Sequence, residues 1–386
     1  MPTIHRLMTV VGFAALLFAA GYASLNVIGI LFWRARRRPR QGETLPPVSV
    51  LKPLCGAEPG LYEQLRSFCT QDYPQYQIVF GVRDRSDPAC NVVARLMEEF
   101  PAVPMELVVN SQLHGTNYKV SNLINMLPGA QHDLLVMADS DASVGSDYLS
   151  LVTAPLADRR VGLVTCVYRG VPTPTIWSRL GAMYINEWYV PSVLLTSMFG
   201  YQGYVSGQTV GMRRDTLEVI GGLSAIANDL ADDYRIGELV RNLGLNIVLS
   251  PYLVRGAHHE PCVESLTSHE VRWMSTIRVL RPLSFRWMFL TFSLPLACIG
   301  AALANAEAWD PGAAKALFWT AVMARLALHF IHRLRDGRSL LADLWLLPVR
   351  DMLLCWVWLR SFFTSRIIWR GGEFDVDARG VMRRAS

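Results

Sequence analysis

The sequence has few charged residues and lacks several signatures that would assign it to a soluble enzyme class. Only 18% of its 386 residues are charged, and 51% are hydrophobic. The first predicted strand is not followed by a G-x-G-x-x-G motif, and no Walker lysine loop occurs, which argues against a Rossmann dehydrogenase or a P-loop ATPase. The seven cysteines are odd in number and form no C-x-x-C pair. They are typical of scattered reduced thiols, so we expect the main domain on the reducing side of a membrane.

This composition is too apolar for an ordinary soluble protein and too charged for a pure bundle of membrane helices. It favours a globular domain anchored to a membrane. The net charge of +5 is modest, and the basic residues cluster beside apolar stretches. That distribution favours contact with anionic lipid headgroups and predicts no nucleic-acid partner.

The N-terminal region contains a long uncharged run. Residues 8–33 are long enough to cross a bilayer about 30 Å thick at about 1.5 Å per residue, and we predict a transmembrane anchor there. Residues 1–7 would form a short extracytoplasmic end, and 34–47 a linker rich in arginine and proline. The arginines predict a cytoplasmic location for the domain on their C-terminal side. A cleaved signal peptide is the competing interpretation, but the run is too long and most of the positive charge lies after it.

The C-terminal region is also apolar. Runs at about 285–304 and 313–331 predict a helical hairpin, because the loop between them carries no Lys or Arg whereas arginines follow the second run. Residues 340–369 are interrupted by charges, so an interfacial segment and a re-entrant pair both stay open. The polar stretch 370–386 is expected to be a cytoplasmic tail. Trp177–Gly207 is interpreted as an interfacial segment or a buried core helix.

Residues 48–284 alternate between strand and helix patterns, which predicts an α/β domain with a parallel sheet. The predicted strands are Val48–Leu54, Ile78–Val82, Glu106–Asn110, the run from Leu134, Thr209–Arg213 and a last short strand Ile247–Leu249 closed by Pro251. Helices are predicted between them, at Gly60–Cys69, Asn91–Phe100, Lys119–Met126, Arg214–Gly221, Tyr234–Asn242 and Glu264–Arg281.

The strand from Leu134 runs into Asp139-Ser140-Asp141. Carboxylates at the carboxyl end of a buried strand face the crevice where open α/β sheets bind ligands. Such a pair suits a hard divalent cation that bridges to a diphosphate, and a solvated acidic turn is the alternative. Asp229, Asp232 and Asp233 precede a helix, where an aspartate is the ordinary N-cap. His258 and His259 are more typical of a hydrogen-bonded turn than of a metal site.

Four elements stand in order along the chain: Asp84, the Asp139-Ser140-Asp141 cluster, Asp233, and His269-Glu270-Val271-Arg272-Trp273. In this order the chain resembles processive-type GT-A glycosyltransferases, and more narrowly the ceramide glucosyltransferase family. VSVLKPL, RDRSDPA, NYKVSNL and the R-W-x-x-x-R run carry the resemblance over roughly residues 46–285. Within this group the chain is most similar to bacterial hopanoid-biosynthesis glycosyltransferases. His269 stands where the family usually has Gln or Arg.

The resemblance implies a GT-A domain with one N-terminal and two or more C-terminal membrane segments, in a multi-pass protein of a bacterial inner membrane with its catalytic domain in the cytoplasm. It implies inverting transfer of a sugar, N-acetylglucosamine first, from a UDP-sugar to a hydroxyl of a membrane lipid, a hopanoid such as bacteriohopanetetrol. Transfer of glucose to ceramide is the alternative. A non-catalytic membrane scaffold is a further alternative, which the intact acidic motifs disfavour.

The resemblance also implies roles for individual residues. Asp233 is expected to be the general base, with Asp232 raising its proton affinity by like-charge repulsion. Asp84 would contact the uridine, and Arg272 would pair with the departing diphosphate. Trp273 and His269 would belong to the acceptor region. The remaining expected site residues are Asp139 and Lys119 for the nucleotide-sugar, and Asp141 with Asp139 for Mg²⁺ or Mn²⁺.

Overall fold

A computed structural model describes residues 2–35, 45–201, 203–304, 311–335, 337, 339–364, 366–369, 372–377 and 379–384. The arginines expected to orient the anchor, Arg36, Arg37, Arg38 and Arg40, lie outside the described residues, as does most of the loop between the two C-terminal apolar runs. The chain divides into two compact units. After the roles expected from the sequence, we call them the membrane unit and the catalytic unit, and we describe each by itself.

The membrane unit comprises Met1–Ala35, Pro174–Phe199 and Glu260–Ser365. Its helices are α1 (Pro2–Ala35), α6 (Ile176–Tyr184), α7 (Val190–Met198), α10 (Val263–Leu280), α11 (Pro282–Trp287), α12 (Ser293–Ala304), α13 (Pro311–Arg335) and α14 (Leu346–Ser361). A π-helical turn, Ile185–Tyr189, joins α6 to α7, and a 3₁₀ turn, Met288–Thr291, precedes α12.

Within the described part of this unit, two helices have the length and apolar composition to cross a membrane, Thr3–Ala35 and Pro311–Arg335. A third crossing is formed if Pro282–Thr291 and Ser293–Ala304, which meet at 69°, act as one broken span. Within the unit, α1 packs closely on α12. A Cβ atom at Gly12 would lie 2.6 Å from the Ala304 backbone nitrogen, so this contact requires a residue without a side chain.

Charged side chains inside the membrane unit are paired. Glu270 on α10 accepts hydrogen bonds from Arg350 on α14 at 2.6 and 2.8 Å, and both residues are buried. Arg325 on α13 donates to Glu187 in the π-helical turn at 2.8 Å and to Asp351 on α14 at 3.0 Å. Buried charges are tolerated when each has a hydrogen-bonded partner of opposite sign, and these pairs satisfy that condition.

The catalytic unit comprises Arg36–Thr173, Gly200–His259 and Arg366–Ser386. Its strands are β1 (Val48–Pro53), β2 (Tyr76–Val82), β3 (Met105–Val109), β4 (Leu134–Met137), β5 (Ala142–Ser143), β6 (Val161–Pro172), β7 (Val210–Arg213), β8 (Asn246–His258), β9 (Arg366–Trp369), β10 (Gly372–Val376) and β11 (Met382–Arg384). Its helices are α2 (Leu61–Cys69), α3 (Ala89–Glu99), α4 (Tyr118–Met126), α5 (Tyr148–Thr153), α8 (Arg214–Val219) and α9 (Asp232–Asn242).

Eight strands form one sheet in the order β3-β2-β1-β4-β7-β6-β8-β5. The first four are parallel, as expected, because crossover helices α2, α3 and α4 separate them in sequence. The expectation of a wholly parallel sheet is wrong. Strand β7 runs antiparallel to both β4 and β6, and β5 runs antiparallel to β8. A mixed sheet results.

The second half of the sheet differs most from expectation. Strand β6 was not predicted, and β8 continues far beyond Pro251, where a strand end was expected. The β6–β8 register shifts between Cys166 and Val167, which are paired with Ser250 and Leu253. Pro251 and Tyr252 therefore lie in a bulge. A bulge tolerates proline because the ladder hydrogen bond is already interrupted there.

Candidate active site

The carboxyl end of β4 leads directly into the acidic cluster. All four residues of β4 are buried, and the chain turns after Ala138, where the Ala142 amide donates to the Asp139 carbonyl at 3.3 Å. The Asp139 amide donates to the Gly207 carbonyl at 3.2 Å, which ties this turn to the segment before β7. Asp139 and Asp141 are half-buried at this edge. The expected placement of the carboxylates at a ligand-binding edge agrees with this geometry.

Lys119 lies in the first turn of α4 and bridges two acidic segments. Its Nζ is 2.7 Å from Asp139 Oδ1 and 3.0 Å from Asp232 Oδ2. Asn117 begins the helix, and its side chain accepts a hydrogen bond from the Val120 amide at 3.1 Å. Burial alone would lower the pKa of Lys119, but the surrounding aspartates outweigh it and raise that pKa. Lys119 is therefore a permanently charged link between Asp139 and Asp232.

Asp233 lies beside this link in the first turn of α9. It is not the N-cap, which is Ala231 without a capping side chain. Asp233 Oδ2 accepts a hydrogen bond from the Gly207 amide at 2.9 Å, and Oδ1 accepts one from the Tyr234 amide at 2.7 Å. Burial and the neighbouring charge of Asp232 raise the pKa of Asp233 to about 6, although Lys119 opposes the shift. A carboxylate with such a pKa accepts a proton near neutral pH.

Gly207 lies between these groups. A Cβ atom at this position would be 2.8 Å from both Asp139 Oδ2 and Lys119 Nζ, so a side chain would displace the ion pair. The close approach of the backbone to the carboxylates therefore depends on glycine.

Asp141 has a different neighbour. Both of its carboxylate oxygens accept hydrogen bonds from Gln208 Nε2, at 2.9 and 3.0 Å. Burial and the charge of Asp139 raise the pKa of Asp141 to about 6. The ionised form of Asp141 is thus under-stabilised by its protein neighbours, and an added cation would stabilise it.

Lys52, at the end of β1, completes the local set of charges. It is fully buried, donates to the Asp139 carbonyl and lies with Nζ 3.9 Å from the centre of the Phe68 ring. Burial lowers the pKa of Lys52 to about 7, although Asp141 and Asp139 oppose that shift. Its charge is consequently only partly available to offset the aspartates at neutral pH.

Asp84 lies in the loop after β2. It is exposed, and its Oδ1 accepts hydrogen bonds from the Ser86 amide and hydroxyl, each at 2.8 Å. The Ser86 hydrogen bonds lower the pKa of Asp84, so it is ionised at neutral pH. Its neighbour Arg83 lies over the Tyr118 ring, 4.7 Å from its centre. Tyr118 precedes Lys119, so this contact connects the Asp84 loop to the start of α4.

His269, Arg272 and Trp273 lie on α10 in the membrane unit. His269 Nδ1 is 2.8 Å from Glu260 Oε1, and its ring is 4.1 Å from that of Trp273. Trp273 in turn stacks on Tyr184, with ring centres 5.6 Å apart. The structure therefore brings Lys119, Asp139, Asp141 and Asp233 together in the catalytic unit and gathers the residues of the other motif in the membrane unit.

The described residues contain no cluster of three or more His, Cys, Asp or Glu side chains arranged to hold a metal ion. The carboxylates present still suit Mg²⁺ or Mn²⁺ in one respect. Such ions bind through one or two protein carboxylates together with substrate phosphates. Asp139 and Asp141 provide that pair, and burial together with the charge of Asp139 raises the pKa of Asp141, so an added cation would stabilise its ionised form.

Two residues of this site were not assigned roles from the sequence. Lys52 stands in the VSVLKPL motif, where a lysine at the end of a buried strand is the available signal. Gln208 offers no signal because a single glutamine before a strand is unremarkable. Both are recognised only through contacts that join distant parts of the chain.

The sheet and the acidic turn after β4 are typical of the GT-A fold. The sequence profile of glycosyl transferase family 21 matches residues 11–382, and the chain belongs to this family. A solved mannosyltransferase from Pyrobaculum calidifontis, in complex with GDP-Man and Mn²⁺, has a similar fold. Its TM-score is 0.52 with 19% identity, over 92% of this chain and 99% of that chain.

Several curated relatives act on lipids by name. Ceramide glucosyltransferase 3 of Caenorhabditis elegans is 26% identical over 70% of this chain and 59% of its own length. Ceramide glucosyltransferase 1 of the same organism is 21% identical over 91% of this chain and 76% of its own. A beta-monoglucosyldiacylglycerol synthase of Trichormus variabilis is 25% identical over 55% of this chain and 46% of its own. The chain thus spans about three fifths of the length of ceramide glucosyltransferase 3.

Proposed function

We propose that the protein transfers a sugar from a UDP-sugar to a hydroxyl group of a membrane lipid with inversion at the anomeric carbon. The observation that carries this proposal is the position of Asp233, a half-buried carboxylate beside Lys119 and the acidic turn after β4. Helices long and apolar enough to cross a membrane support a lipid acceptor, as do the names of the relatives.

In this mechanism Asp233 takes the proton of the acceptor hydroxyl as that oxygen attacks the anomeric carbon from the face opposite the leaving UDP. Its pKa of about 6 suits it to accept a proton near neutral pH. The hydrogen bonds from the Gly207 and Tyr234 amides hold the carboxylate in one orientation. Asp84 and Arg272 are proposed to bind the uridine and the diphosphate, and Trp273 and His269 to form part of the acceptor site.

Asp139 and Asp141 would hold Mg²⁺ or Mn²⁺, which supplies positive charge to the leaving diphosphate as a Lewis acid. Around them, Lys119 holds the Asp139 carboxylate through an ion pair, and Gln208 orients the Asp141 carboxylate through both of its oxygens. These residues would therefore present fixed carboxylate oxygens before the nucleotide-sugar arrives.

For the individual substrates we propose N-acetylglucosamine as the sugar and a hopanoid such as bacteriohopanetetrol as the acceptor, in a bacterial inner membrane with the catalytic unit in the cytoplasm. This choice rests on the sequence resemblance described above. Glucose transfer to ceramide is the second candidate, and the names of the ceramide glucosyltransferase relatives favour it.

The test is an assay of the purified, detergent-solubilised protein with a panel of UDP-sugars, each of the two lipids, and Mg²⁺, Mn²⁺ or EDTA. Mass spectrometry of the lipids would reveal a hexosamine adduct of bacteriohopanetetrol if the first choice is right, and a hexosylceramide if the second is. We expect product formation to be lost in EDTA. If neither lipid gains a sugar while the protein binds UDP, both acceptor proposals are wrong.

A further inference from the structure

The polar stretch expected only to be a tail contains two strands, β10 and β11, which form a small sheet with β9. Strand β10 pairs antiparallel with β9 and with β11. Two large side chains of this small sheet are buried, Phe374 at 0% and Met382 at 1% exposure, and they pack in one cluster with Leu230 and Tyr118. This segment therefore packs against other parts of the catalytic unit through a buried aromatic side chain.

The first set of contacts reaches the segment just before Asp232 and Asp233. The Met382 amide donates to the Asn228 carbonyl at 2.8 Å, and the Leu230 amide donates to the Gly380 carbonyl at 2.9 Å. Between them, Asp229 and Val381 form an antiparallel bridge. The chain around β11 therefore acts as a neighbouring strand for residues 228–230.

The second set of contacts reaches the segment just before Lys119. Thr116 Oγ1 donates to the Met382 carbonyl at 3.1 Å, and Arg384 donates to the Tyr118 hydroxyl at 2.7 Å. The Tyr118 ring also meets Phe374 edge to face, with ring centres 6.2 Å apart. The strands thus contact both segments that lead into the charged cluster.

The two segments are joined to each other where the strands contact them. Asn117 Nδ2 donates to the Asp229 carbonyl at 2.8 Å, and the Thr116 amide donates to Asn228 Oδ1 at 2.9 Å. Lys119 directly follows the first segment, and Asp232 lies two residues after the second; these two residues form the 3.0 Å ion pair. A shift of either segment would therefore move a charged group of the site.

We propose that residues 372–384, which we call the C-terminal clamp, are a positioning element for sugar transfer. The clamp holds residues 116–118 and 228–230 together and so fixes Lys119 and Asp233 relative to the acidic turn. This inference rests on the proposed function of that cluster. A displacement of about 1 Å in a catalytic group can lower a rate by about 100-fold, so an element outside the site can control kcat.

Phe374→Ala is the main test variant, and full-length protein in detergent is assayed with the UDP-sugar and lipid that the wild type uses. We expect kcat to fall by about 10- to 100-fold. The KM for the UDP-sugar should change less than about threefold, because the clamp acts on placement and not on nucleotide contacts. Phe374→Leu, which refills most of the buried space, should restore kcat to within about fivefold of wild type.

Two further variants give a matched comparison on one strand. Arg383→Gln removes an exposed arginine that pairs with Asp377, a residue within the clamp itself, at 3.9 Å. We expect wild-type kcat. Arg384→Gln removes the donor to the Tyr118 hydroxyl, also at the surface, so folding should survive. We expect its kcat to fall by about two- to fivefold, consistent with one hydrogen bond of about 0.5–1 kcal/mol.

Hydrogen exchange provides a readout that does not depend on turnover. Amides of residues 116–121 and 227–233 should exchange faster in Phe374→Ala and, for 116–121, in Arg384→Gln, but not in Arg383→Gln. Wild-type kcat and wild-type exchange in Phe374→Ala would overturn the clamp, and so would an equal loss of kcat in Arg383→Gln and Arg384→Gln. A wild-type protein that transfers no sugar would instead overturn the proposed function. If Phe374→Ala does not fold, the comparison of Arg383→Gln with Arg384→Gln tests the clamp.

Discussion

The buried carboxylates of the two units have different neighbours. In the membrane unit, Glu270 accepts two hydrogen bonds from Arg350, and Arg325 donates hydrogen bonds to both Glu187 and Asp351. In the catalytic unit, one lysine bridges Asp139 and Asp232, while Asp141 and Asp233 accept hydrogen bonds from amide groups.

This difference separates a structural use of buried charge from a chemical one. A guanidinium that donates two hydrogen bonds to a carboxylate places a full positive charge opposite the negative one. Amide donors leave the net negative charge in place. Asp141 and Asp233 both have a pKa raised to about 6, because burial and a neighbouring aspartate in each case outweigh the nearby lysine.

Replacement of a carboxylate by an amide should therefore have opposite effects on stability in the two units. Asp233→Asn is expected to have the largest effect on activity. We expect kcat to fall by about 10²- to 10⁴-fold through loss of the general base, while UDP affinity stays nearly constant. The folded-state pKa of Asp233 lies above its ordinary value, so stability present at low pH is lost as pH rises through about 6. Thermal unfolding at pH 8 should thus show Asp233→Asn to be at least as stable as wild type.

The control for this substitution is Asp158→Asn, an exposed carboxylate of the same unit that pairs with Arg160 at the surface. It should alter neither kcat nor the unfolding temperature. Wild-type turnover in Asp233→Asn would contradict the assignment of the general base.

The same change in the membrane unit, Glu270→Gln, should destabilise the protein. Arg350 would remain buried, and its charge would lose the carboxylate that faces it. Removal of one partner from a buried ion pair typically costs about 3–5 kcal/mol. Thermal unfolding in detergent measures the loss. The double variant Glu270→Leu/Arg350→Met should recover much of it, and a single variant as stable as wild type would show that the pair contributes nothing.

The smallest expected effect concerns the position of the pH profile. Wild-type kcat should fall on acidification through about pH 6, where Asp233 becomes protonated. Lys119 lowers the pKa of Asp233, so Lys119→Met should move this acid limb to higher pH, whereas Lys119→Arg, which keeps the charge, should not. If the acid limb of Lys119→Met stays at the wild-type pH, Lys119 does not influence the pKa of the general base.

Local sequence patterns predicted the strands and helices in the first half of the sheet. The buried apolar runs of β1, β2 and β4 and the helices between them lie within a few residues of expectation. Strand direction in the second half of the sheet was not predictable in this way, because antiparallel pairing of β7 depends on contacts between residues far apart in sequence. Strands β10 and β11 were missed because their sequence is polar and only Phe374 and Met382 in them are buried.

For the site, the resemblance implied one function for Asp139, Asp141, Lys119 and Asp233 together with Asp84, His269, Arg272 and Trp273. The structure brings the first four together. Their mutual contacts could not be read from the sequence. The bridge from Lys119 to Asp232 joins α4 to α9, and the hydrogen bonds of Gln208 to Asp141 join the β7 approach to the β4 turn. Such pairings depend on the folded sheet.

The C-terminal clamp has a consequence for the order of events during synthesis. Proteins emerge from the ribosome N-terminus first, so Lys119 and Asp233 are made well before residues 372–384. The apolar helices α12 and α13 are translated in between. At about 5–20 residues per second, the roughly 140 residues from Asp233 to the clamp take about 7–30 s to make. The charged cluster would thus reach its final geometry only after the apolar helices of the membrane unit have been made.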